Sequence, residues 1–492
     1  MKQKDRKESI IRLSPLIVFI AVIFLLVHAH GYSMPLSQFS YLALTDTTLI
    51  YDVFSHNKMV DVLLVTAAAI LIMSYGFFWK KRRIRKSLLY YPMAVYGLMI
   101  LLSFICSDYK QFSLWGTYDR FEGTIVHLCY LVMVFYAINF VDDGRELEQI
   151  TTALFAGVTI ACLIGLTQLL GHDFFSDGIG QWLLMGGASD KQASFNFGND
   201  TVYQTVYNTN YVGFYLCLVV PVLCDRILSM FKKEKKSGKD VAFLIWMLIL
   251  MILIVVNVIG SRSIGSLPAL VFSFAAVCLV HLLKEKWKIG IAALFAGYVC
   301  IGVLVLLGVF GEQYALFSEP KSERPQIDHM KTDGNTIEIM LNGNLLVAEY
   351  VEADGTLQVK DSKGRPLETF TLPEEEDRYY FEDARFNKFI SFVPVIVDNR
   401  ILVIFRTKGE NWPFEFTQDG AKYINAAGYP ESLNGPVEHA GIIKNYAFGS
   451  GRGYIWDTTF PVLKKHFLIG SGADTFMMEF PQNDYATRYS HD

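Results

Sequence analysis

The first 310 residues alternate long apolar runs with short charged connectors, and this alternation constrains the fold more than any other feature of the sequence. A helix needs about 20 consecutive apolar residues to cross the hydrocarbon core of a membrane. Nine segments meet that requirement, and their ranges are 13–29, 60–79, 88–107, 124–140, 151–171, 208–224, 241–259, 266–283 and 289–310. The sequence therefore predicts an all-α polytopic membrane bundle of about nine transmembrane helices over residues 1–310.

The composition also favours a membrane protein. The chain is 52% hydrophobic and only 19% charged, whereas soluble domains are about one quarter charged. All seven cysteines lie within the apolar runs, so no disulfide framework is predicted for the region after residue 311. Neither C-x-x-C nor H-E-x-x-H spacing occurs, so we expect no metal site and no cofactor.

The basic residues predict how the spans are oriented. Lys and Arg cluster before the first span and in the connectors 80–86, 226–239 and 284–288, while the 141–150 connector is the weak case, with Arg145 among acidic residues. The opposite connectors carry few cations, which are Lys58, Lys110, Arg120, Lys191 and Arg262. Because Lys and Arg concentrate on the cytoplasmic side, we predict a cytoplasmic N-terminus and an extracytoplasmic location for residues 311–492.

The first span follows a basic stretch, a pattern that a secretory signal peptide shares with a membrane anchor. A signal peptide ends in a cleavage site of small residues, and His28-Ala29-His30-Gly31-Tyr32 is a poor match to such a site. We therefore expect this segment to remain in the mature protein as an anchor in the cell membrane.

Residues 311–492 have the composition of a soluble region and are acidic, with 18 Lys and Arg against 28 Asp and Glu. An acidic surface disfavours nucleic acid and anionic lipid as partners of this region. Near its end, apolar residues recur at helical spacing over 452–470. This spacing predicts an amphipathic helix that packs back onto the membrane bundle.

The first part of this region has the pattern of β-structure. Short runs rich in Val, Ile and Leu flank Asn342-Gly343, a dipeptide typical of tight β-hairpins. A second pair of runs, 389–397 and 400–406, is also separated by two turn-forming residues. We predict a small β-rich extracytoplasmic domain within 311–448, with antiparallel strands over roughly 327–425.

Four short segments combine aromatic, polar and glycine residues, and the predicted topology brings all four to the outer face of the membrane. They are Trp115–Gly123 before span four, Tyr207–Gly213 before span six, Gly260–Ser263 between spans seven and eight, and Gly449–Gly472 late in the sequence. The fourth segment opens a predicted outer-face region, 449–492, that leads toward further helices.

Three of these segments carry an arginine, namely Arg120, Arg262 and Arg452. An arginine at the membrane interface is costly unless it snorkels or binds an anion. Its planar guanidinium binds two oxygens at once, which suits a diphosphate, and the glycines beside Arg452 permit close approach of a ligand. Each feature also has a plain structural interpretation, in which the arginines snorkel or brace loops and the glycines form turns.

Together, the four segments resemble those of the O-antigen ligase and O-antigen polymerase family of bacterial cell-envelope enzymes. The similarity runs from span three to the end of the sequence and is closest over 449–484, with G-R-G-Y-I-W, H-F-L-I-G-S-G-A-D-T-F and F-P-Q-N-D-Y. The resemblance implies a membrane glycosyltransferase of polysaccharide biosynthesis. Such enzymes transfer a glycan from a polyprenyl diphosphate carrier, such as undecaprenyl diphosphate, to a hydroxyl-bearing envelope acceptor, without a metal or a nucleotide sugar.

The same resemblance implies roles for individual residues. Arg262 and Arg452 are expected to be catalytic, because they match the arginines that grip the diphosphate of the carrier, where fixed positive charge stabilises the leaving group. Four further residues are expected to bind substrate, namely Trp115 and Arg120 of the early outer loop and Asn210 and Tyr211 at the start of span six. The match at span six also fits a role in helix packing alone.

One departure from the family concerns the general base. The family uses a histidine in a His-Asn-like motif at the start of a further helix, and neither that motif nor the last helices occur before Asp492. His466 matches a structural position of the family, and His491 lacks the context of the motif. We expect a C-terminally truncated piece, with a divergent member that lacks the usual base as the alternative. Activation of an acceptor hydroxyl without a metal needs some base.

Two other functional classes stay open. The β-rich domain fits a membrane receptor or scaffold, although every predicted cytoplasmic connector is too short for an output domain. Interfacial arginines also fit a transporter of lipid-linked glycans, but a transporter needs polar groups deep in its spans. Few occur there, mainly His127, Gln168 and Asn257. The transferase is therefore favoured, and ligase or polymerase activity, the glycan, the acceptor and the oligomeric state are left open.

Overall fold

A computed structural model describes most of the chain, namely residues 2–33, 49–118, 120–176, 178–186, 201–206, 208–263, 265–277, 327–351, 353, 355–373, 375–397, 400–407, 410–425, 428–433, 437–443 and 452–481. The chain divides into two compact units. The first, called here the helical unit, comprises Met1–His30, Tyr51–Leu98 and Thr117–Ser318. The second, called here the β-rich unit, comprises Gly31–Ile50, Met99–Gly116 and Glu319–Asp492.

Within the described part of the chain, ten helices lie before residue 327. They are α1 (Lys2–Ala21), α2 (His56–Ser74), α3 (Tyr90–Cys106), α4 (Lys110–Trp115), α5 (Thr124–Phe140), α6 (Gly144–Leu169), α7 (Gly178–Met185), α8 (Thr209–Phe231), α9 (Gly238–Gly260) and α10 (Ser266–Val277). A 3-10 turn at Ile23–Leu25 follows α1, and a π-helix at Tyr75–Trp79 continues α2. Two short strands, β1 (His30–Ser33) and β2 (Leu49–Asp52), pair with each other.

Several of these helices have the length and apolar character of membrane spans. Five stretches qualify by both measures, namely Glu8–Leu25, His56–Trp79, Gly144–Leu169, Thr209–Phe231 and Gly238–Gly260. Three shorter apolar helices, α3, α5 and α10, lie at three other predicted spans. The predicted span 289–310 lies outside the described residues. The helical membrane region is therefore confirmed, whereas the count of nine spans stays a prediction.

Some helices begin earlier than the apolar runs predict. The connector predicted at 141–150 is mostly helical, because α6 already starts at Gly144. Asp143 caps this helix, since its carboxylate accepts a hydrogen bond from the backbone N–H of Glu146. In the same way α9 starts at Gly238, behind a capping box. A search for apolar runs misses such polar first turns, so these helices extend beyond the apolar segments predicted as spans.

Small residues set the closest approaches between the membrane helices. A Cβ atom added at Gly157 of α6 would lie 2.3 Å from the carbonyl oxygen of Ala21, and one added at Gly165 would lie 1.9 Å from Oδ1 of Asn257 in α9. Only glycine permits these crossings, as is usual where membrane helices pack closely. Around them, α6, α8 and α9 share one buried apolar cluster, and α1, α2 and α5 share another.

Residues 327–431 of the β-rich unit form two antiparallel sheets. Their strands are β3 (Ile327–Asp333), β4 (Thr336–Leu341), β5 (Asn344–Val351), β6 (Thr356–Asp361), β7 (Thr369–Leu372), β8 (Glu375–Phe381), β9 (Ile390–Val397), β10 (Arg400–Thr407), β11 (Glu410–Thr417), β12 (Gly420–Ile424) and β13 (Pro430–Glu431). Strands β3 to β6 form one sheet and β7 to β13 the other, each in chain order. Two helices follow, α11 (Arg452–His466) and α12 (Phe476–Glu479).

The predicted hairpins are present in these sheets. Asn342 and Gly343 connect β4 to β5 with φ angles of 49° and 71°, the left-handed conformation that a tight hairpin requires. Strands β9 and β10 pair from Arg400 opposite Val397 onward, which confirms the second hairpin. Buried side chains from both sheets, including that of Trp412, form one apolar core. The predicted β-rich region is therefore confirmed.

Candidate functional site

Arg262 lies in a strained turn between α9 and α10. Its φ angle is +52°, a conformation that costs a residue with a side chain about 1–2 kcal/mol. The flanking Ser261 and Ser263 are buried, whereas Arg262 itself is exposed. Among the described residues its guanidinium makes no ion pair and no hydrogen bond. The turn therefore presents a positive charge outward on a fixed backbone, and strain of this kind often marks a functional position.

The start of α8 is joined to this turn by a side-chain hydrogen bond. The hydroxyl of Ser263 donates to Oδ1 of Asn210 over 2.7 Å. Asn208 caps the same helix, because its side chain accepts from the backbone N–H of Asn210 over 2.8 Å. The structure thus brings together the predicted second and third segments. It gives Asn210 a bracing role beside Arg262, while Tyr211 is 44% exposed.

Gly213 of α8 packs closely against Ser266 of α10, three residues after Ser263. A Cβ atom added at Gly213 would lie only 1.6 Å from Oγ of Ser266. The backbone carbonyl of Ser266 also accepts a hydrogen bond from the Cys217 thiol over 3.5 Å. The glycine of the second segment therefore serves helix packing, the structural role that the sequence left open for this segment.

A buried network of polar side chains supports the loop before α8. Oε1 of Gln168 accepts hydrogen bonds from the backbone N–H groups of Tyr203 and Gln204. The side chain of Gln204 donates to Oδ1 of Asn257 over 2.8 Å and accepts from the hydroxyl of Tyr215. Sequence analysis noted Gln168 and Asn257 as polar residues in apolar spans, but it missed Gln204. A buried glutamine outside an apolar run gives no signal in the sequence.

Arg120 lies in a different turn of the helical unit, just before α5. Its backbone N–H donates to the carbonyl of Thr117 over 3.2 Å, and the side chain is exposed. The next residue, Phe121, has a φ angle of +52° and packs edge-on against the His56 ring at 5.0 Å. The ammonium group of Lys58, in the first turn of α2, donates a hydrogen bond to the backbone carbonyl of Thr205. Sequence analysis did not select Lys58.

The predicted residue Trp115 belongs to the β-rich unit, at the end of α4, where it is 44% exposed. Serines from α3 and α4 hold part of the fourth predicted segment nearby. The backbone N–H of Gly472 donates to Oγ of Ser103 over 2.9 Å, and a Cβ atom at Gly472 would lie 2.5 Å from Oγ of Ser113. With its φ of +117°, Gly472 is required for this close packing.

Arg452 is the first residue of α11 in the β-rich unit, and it is exposed. The buried Asp457 of the same helix fixes the preceding loop, because its carboxylate accepts hydrogen bonds from the backbone N–H groups of Gly441, Ile442 and Ile443. Gly449, Ser450 and Gly451 lie outside the described residues. The helix predicted here is present, its packing onto the membrane bundle stays a prediction, and the role of Asp457 was missed.

The exposed face of α11 is apolar. Trp456, Phe460 and Leu463 are 49%, 41% and 48% exposed, and Phe467 just after the helix is 73% exposed. These positions recur at helical spacing and form a stripe along one face. The opposite face, with Tyr454 and Asp457, is buried within the unit. The helix that carries Arg452 therefore presents apolar side chains outward.

Two histidines of the β-rich unit have defined partners. Nε2 of His466 lies 2.8 Å from Oε2 of Glu479, whose side chain is only 8% exposed. Nδ1 of His439 lies 3.2 Å from the hydroxyl of Thr458. Burial, together with the nearby carboxylates of Glu479 and Glu431, raises the pKa of the Tyr109 hydroxyl to about 12. His466 thus has a structural partner in Glu479.

The predicted site residues fall into two groups by unit. Arg120, Asn210, Tyr211 and Arg262 belong to the helical unit, and Trp115 and Arg452 belong to the β-rich unit. In the helical unit, Asn210 is joined to the Arg262 turn, whereas Arg120 occupies a separate turn. No family model matches this chain, and no significant match is found among curated proteins or solved structures.

Proposed function

We propose that this protein is a membrane glycosyltransferase that transfers or polymerises a glycan from a polyprenyl diphosphate carrier at the outer face of the cytoplasmic membrane. The resemblance assigns diphosphate binding to Arg262 of the helical unit and to Arg452 of the β-rich unit, and it assigns substrate binding to Trp115, Arg120, Asn210 and Tyr211. The acceptor is a hydroxyl group of an envelope molecule. The proposal includes nine spans, a cytoplasmic N-terminus and an extracytoplasmic location for residues 311–492.

The turn of Arg262 is the observation that carries this proposal. An exposed guanidinium without a carboxylate partner among the described residues is available to an anionic ligand, and the buried neighbours Ser261 and Ser263 fix its backbone. A diphosphate leaving group gains negative charge as the bond to the sugar breaks. A cation that is already in position stabilises that charge without reorganisation, and removal of one such donor typically costs 10²–10³ in rate.

Helix α11 supports a location of Arg452 at headgroup level. Its exposed apolar stripe, including Trp456 and Phe460, is suited to the boundary between hydrocarbon and headgroups, where tryptophan is enriched. An arginine at the first position of such a helix reaches the phosphate layer. This arrangement favours a substrate that is itself a membrane lipid with an anionic headgroup.

The buried polar network bears on the transporter hypothesis. Gln168, Gln204 and Asn257 are almost fully buried and bond to one another or to the backbone. Their hydrogen-bonding groups hold the loop before α8 in place. A transporter is expected to expose such groups to its cargo at the centre of the membrane, so the network favours the transferase.

Binding of a short polyprenyl diphosphate tests the proposal. We expect geranylgeranyl diphosphate to bind the protein in nanodiscs more tightly than geranylgeraniol does, because only the former carries the diphosphate. Arg262→Gln should remove at least tenfold of this preference. The matched control is Arg145→Gln. Arg145 is an exposed arginine in the first turn of α6 and lies outside the proposed site, so this variant should bind the diphosphate as the unmodified protein does.

Two outcomes would contradict the proposal. One is equal binding of the diphosphate and the alcohol, and the other is an identical loss in the Arg262 and Arg145 variants. Turnover is then tested with a lipid extract that contains polyprenyl-diphosphate-linked glycans. We expect release of free polyprenyl diphosphate once an acceptor is added, and release that is unaffected by Arg262→Gln would count against the assigned role.

A further inference from the structure

An apolar groove opens between α2, α3 and α5 of the helical unit. Its volume is about 390 Å³, and it is lined by Ile70 and Met73 of α2, Tyr90 and Met93 of α3, and Leu131 and Phe135 of α5. Apart from the tyrosine hydroxyl, these six side chains offer only hydrocarbon and sulfur atoms. A groove of this composition in a membrane-spanning unit is suited to a hydrocarbon chain.

The groove has one polar end, formed around Asn139. This residue is fully buried, and its side chain donates to the hydroxyl of Tyr90 over 2.9 Å. Its Oδ1 accepts from the backbone N–H of Arg85 over 2.9 Å, and its carbonyl accepts from Nε of Arg82 over 2.8 Å. A single asparagine therefore links the groove to the basic connector, Lys80–Ser87.

The basic residues of this connector fall into two classes. Arg82 and Arg85 pair with Asp142, and Lys80 pairs with Glu8. The remaining three, Lys81, Arg83 and Lys86, are exposed, and they make no ion pair within the described part of the chain. The first class holds the connector in place, and the second class presents three positive charges that no protein carboxylate neutralises.

Exposed apolar side chains alternate with these cations. Trp79, Ile84 and Leu88 are 76%, 59% and 82% exposed. A segment with free cations and exposed apolar residues beside a membrane helix is suited to the boundary between headgroups and hydrocarbon. The ligand that matches all these features has an anionic headgroup and at least one long apolar chain.

We propose that the groove and the basic connector form a binding site for an anionic phospholipid of the phosphatidylglycerol type. One acyl chain lies in the groove, and Lys81, Arg83 and Lys86 bind the phosphate. The site does not depend on the proposed transferase function. Its polar end lies about 23 Å along α5 from Thr124, the residue that follows the Arg120 turn, at a rise of 1.5 Å per residue.

Charge variants test the headgroup part of the site. Native mass spectrometry of the full chain should show phosphatidylglycerol bound in preference to phosphatidylcholine with the same acyl chains. The variant K81Q/R83Q/K86Q should lose about 100-fold of this preference, at roughly fivefold for each cation near an anionic headgroup. The matched control is K232Q/K235Q/K239Q, which removes three exposed lysines from the connector after α8 and the first turn of α9 and should keep the preference.

A second variant tests the groove. Ala94 also lines it and is exposed, so Ala94→Trp fills the groove without disturbing the protein core. We expect weaker binding of both lipids, with the melting temperature and the elution volume on gel filtration unchanged. The site is overturned if both triple variants lose the preference equally, since that indicates net charge alone. It is also overturned if filling the groove leaves lipid binding intact, or if a polyprenyl diphosphate displaces phosphatidylglycerol in stoichiometric amounts.

Discussion

The two ends of α6 use arginine in opposite ways. At its start, Arg82 and Arg85 pair with Asp142, and Arg12 pairs with Glu146. At its far end, where a Cβ atom at Gly260 would lie 3.1 Å from the side chain of Leu169, the turn of Arg262 has no such carboxylate among the described residues. A paired guanidinium stabilises the fold, whereas an unpaired one that the backbone holds in place keeps its charge for a ligand.

Burial accounts for the strength of the paired end. The side chains of Arg12 and Glu146 are only 16% and 11% exposed. The carboxylate of Glu146 also accepts hydrogen bonds from the backbone N–H of Asp142 and from the hydroxyl of Ser9. Loss of one member of such a group leaves the other charge buried without a partner. Substitutions at the paired end should therefore lower the stability of the fold, and substitutions at the unpaired end should lower activity.

The largest expected effect is on the rate of glycan transfer. Arg262→Ala should lower this rate by about 10²–10³, because it removes a positioned donor to the leaving diphosphate. The free energy of unfolding should change by less than about 0.5 kcal/mol, as is usual for an exposed side chain. Arg145→Ala is the control for a general effect of charge. If Arg262→Ala lowered the free energy of unfolding as much as a substitution at the paired end does, the two ends would not differ in this way.

Removal of a carboxylate from the paired end should have the next largest effect. We expect Glu146→Ala to lower the free energy of unfolding by roughly 3 kcal/mol, because Arg12 is left buried and unpaired. Denaturation of the protein in mixed micelles measures this change. Glu148→Ala is the matched control. Glu148 pairs with Arg226 at 2.7 Å, but its side chain is 53% exposed, so the loss should stay below about 1 kcal/mol. Equal losses would show that burial does not distinguish the two pairs.

A third comparison isolates the strained backbone of the Arg262 turn. Both Arg262→Gly and Arg262→Ala remove the guanidinium, but only glycine adopts a φ of +52° without steric cost. The glycine variant should therefore be more stable than the alanine variant by about 1 kcal/mol, and both should lose transfer activity to the same extent. Urea denaturation of the two variants measures the difference. Equal stabilities would mean that the turn does not hold this residue in the left-handed conformation.

Local sequence patterns account for the membrane helices and the β-hairpin. Runs of apolar residues locate the membrane helices, since a span needs a fixed length of apolar residues. Alternation of apolar residues and Asn342-Gly343 locate the β-hairpin, because few residues adopt its turn conformation. Both signals are local and repeat along the chain. Helix starts such as Gly144 were missed, because a polar first turn resembles a loop.

The candidate site was less accessible from the sequence. Arg262 stands out because it is a lone cation between two apolar runs. Its neighbours, however, depend on contacts between distant parts of the chain, as in the bond between Ser263 and Asn210. The pairing of Arg82 with Asp142 also joins residues that are 60 positions apart. The sequence alone does not distinguish paired from unpaired arginines, because the tertiary fold determines which carboxylate lies beside each guanidinium.

The smallest expected effect extends the contrast to the β-rich unit, where Asp361 is held by arginine. Arg365 donates to its carboxylate over 2.6 Å, and Arg385 lies 3.5 Å away. The hydrogen bond from Arg365 holds the pKa of Asp361 well below its ordinary value of 3.8. A carboxylate with a lowered pKa stabilises the fold above the unfolded-state pKa, and this contribution is lost as the pH falls towards the folded-state pKa.

Hydrogen exchange of the full chain measures this contribution. At pH 6, peptides from β5 and β6 should be less protected in Asp361→Asn than in the unmodified protein, and the gap should close as the pH falls below 3.8. The control is Asp333→Asn. Asp333 pairs with Lys331 at 3.2 Å, but its side chain is 71% exposed, so protection should not change. A gap that persists unchanged at low pH would mean that Asp361 acts through its shape or its backbone contacts, and that its charge contributes nothing to the fold.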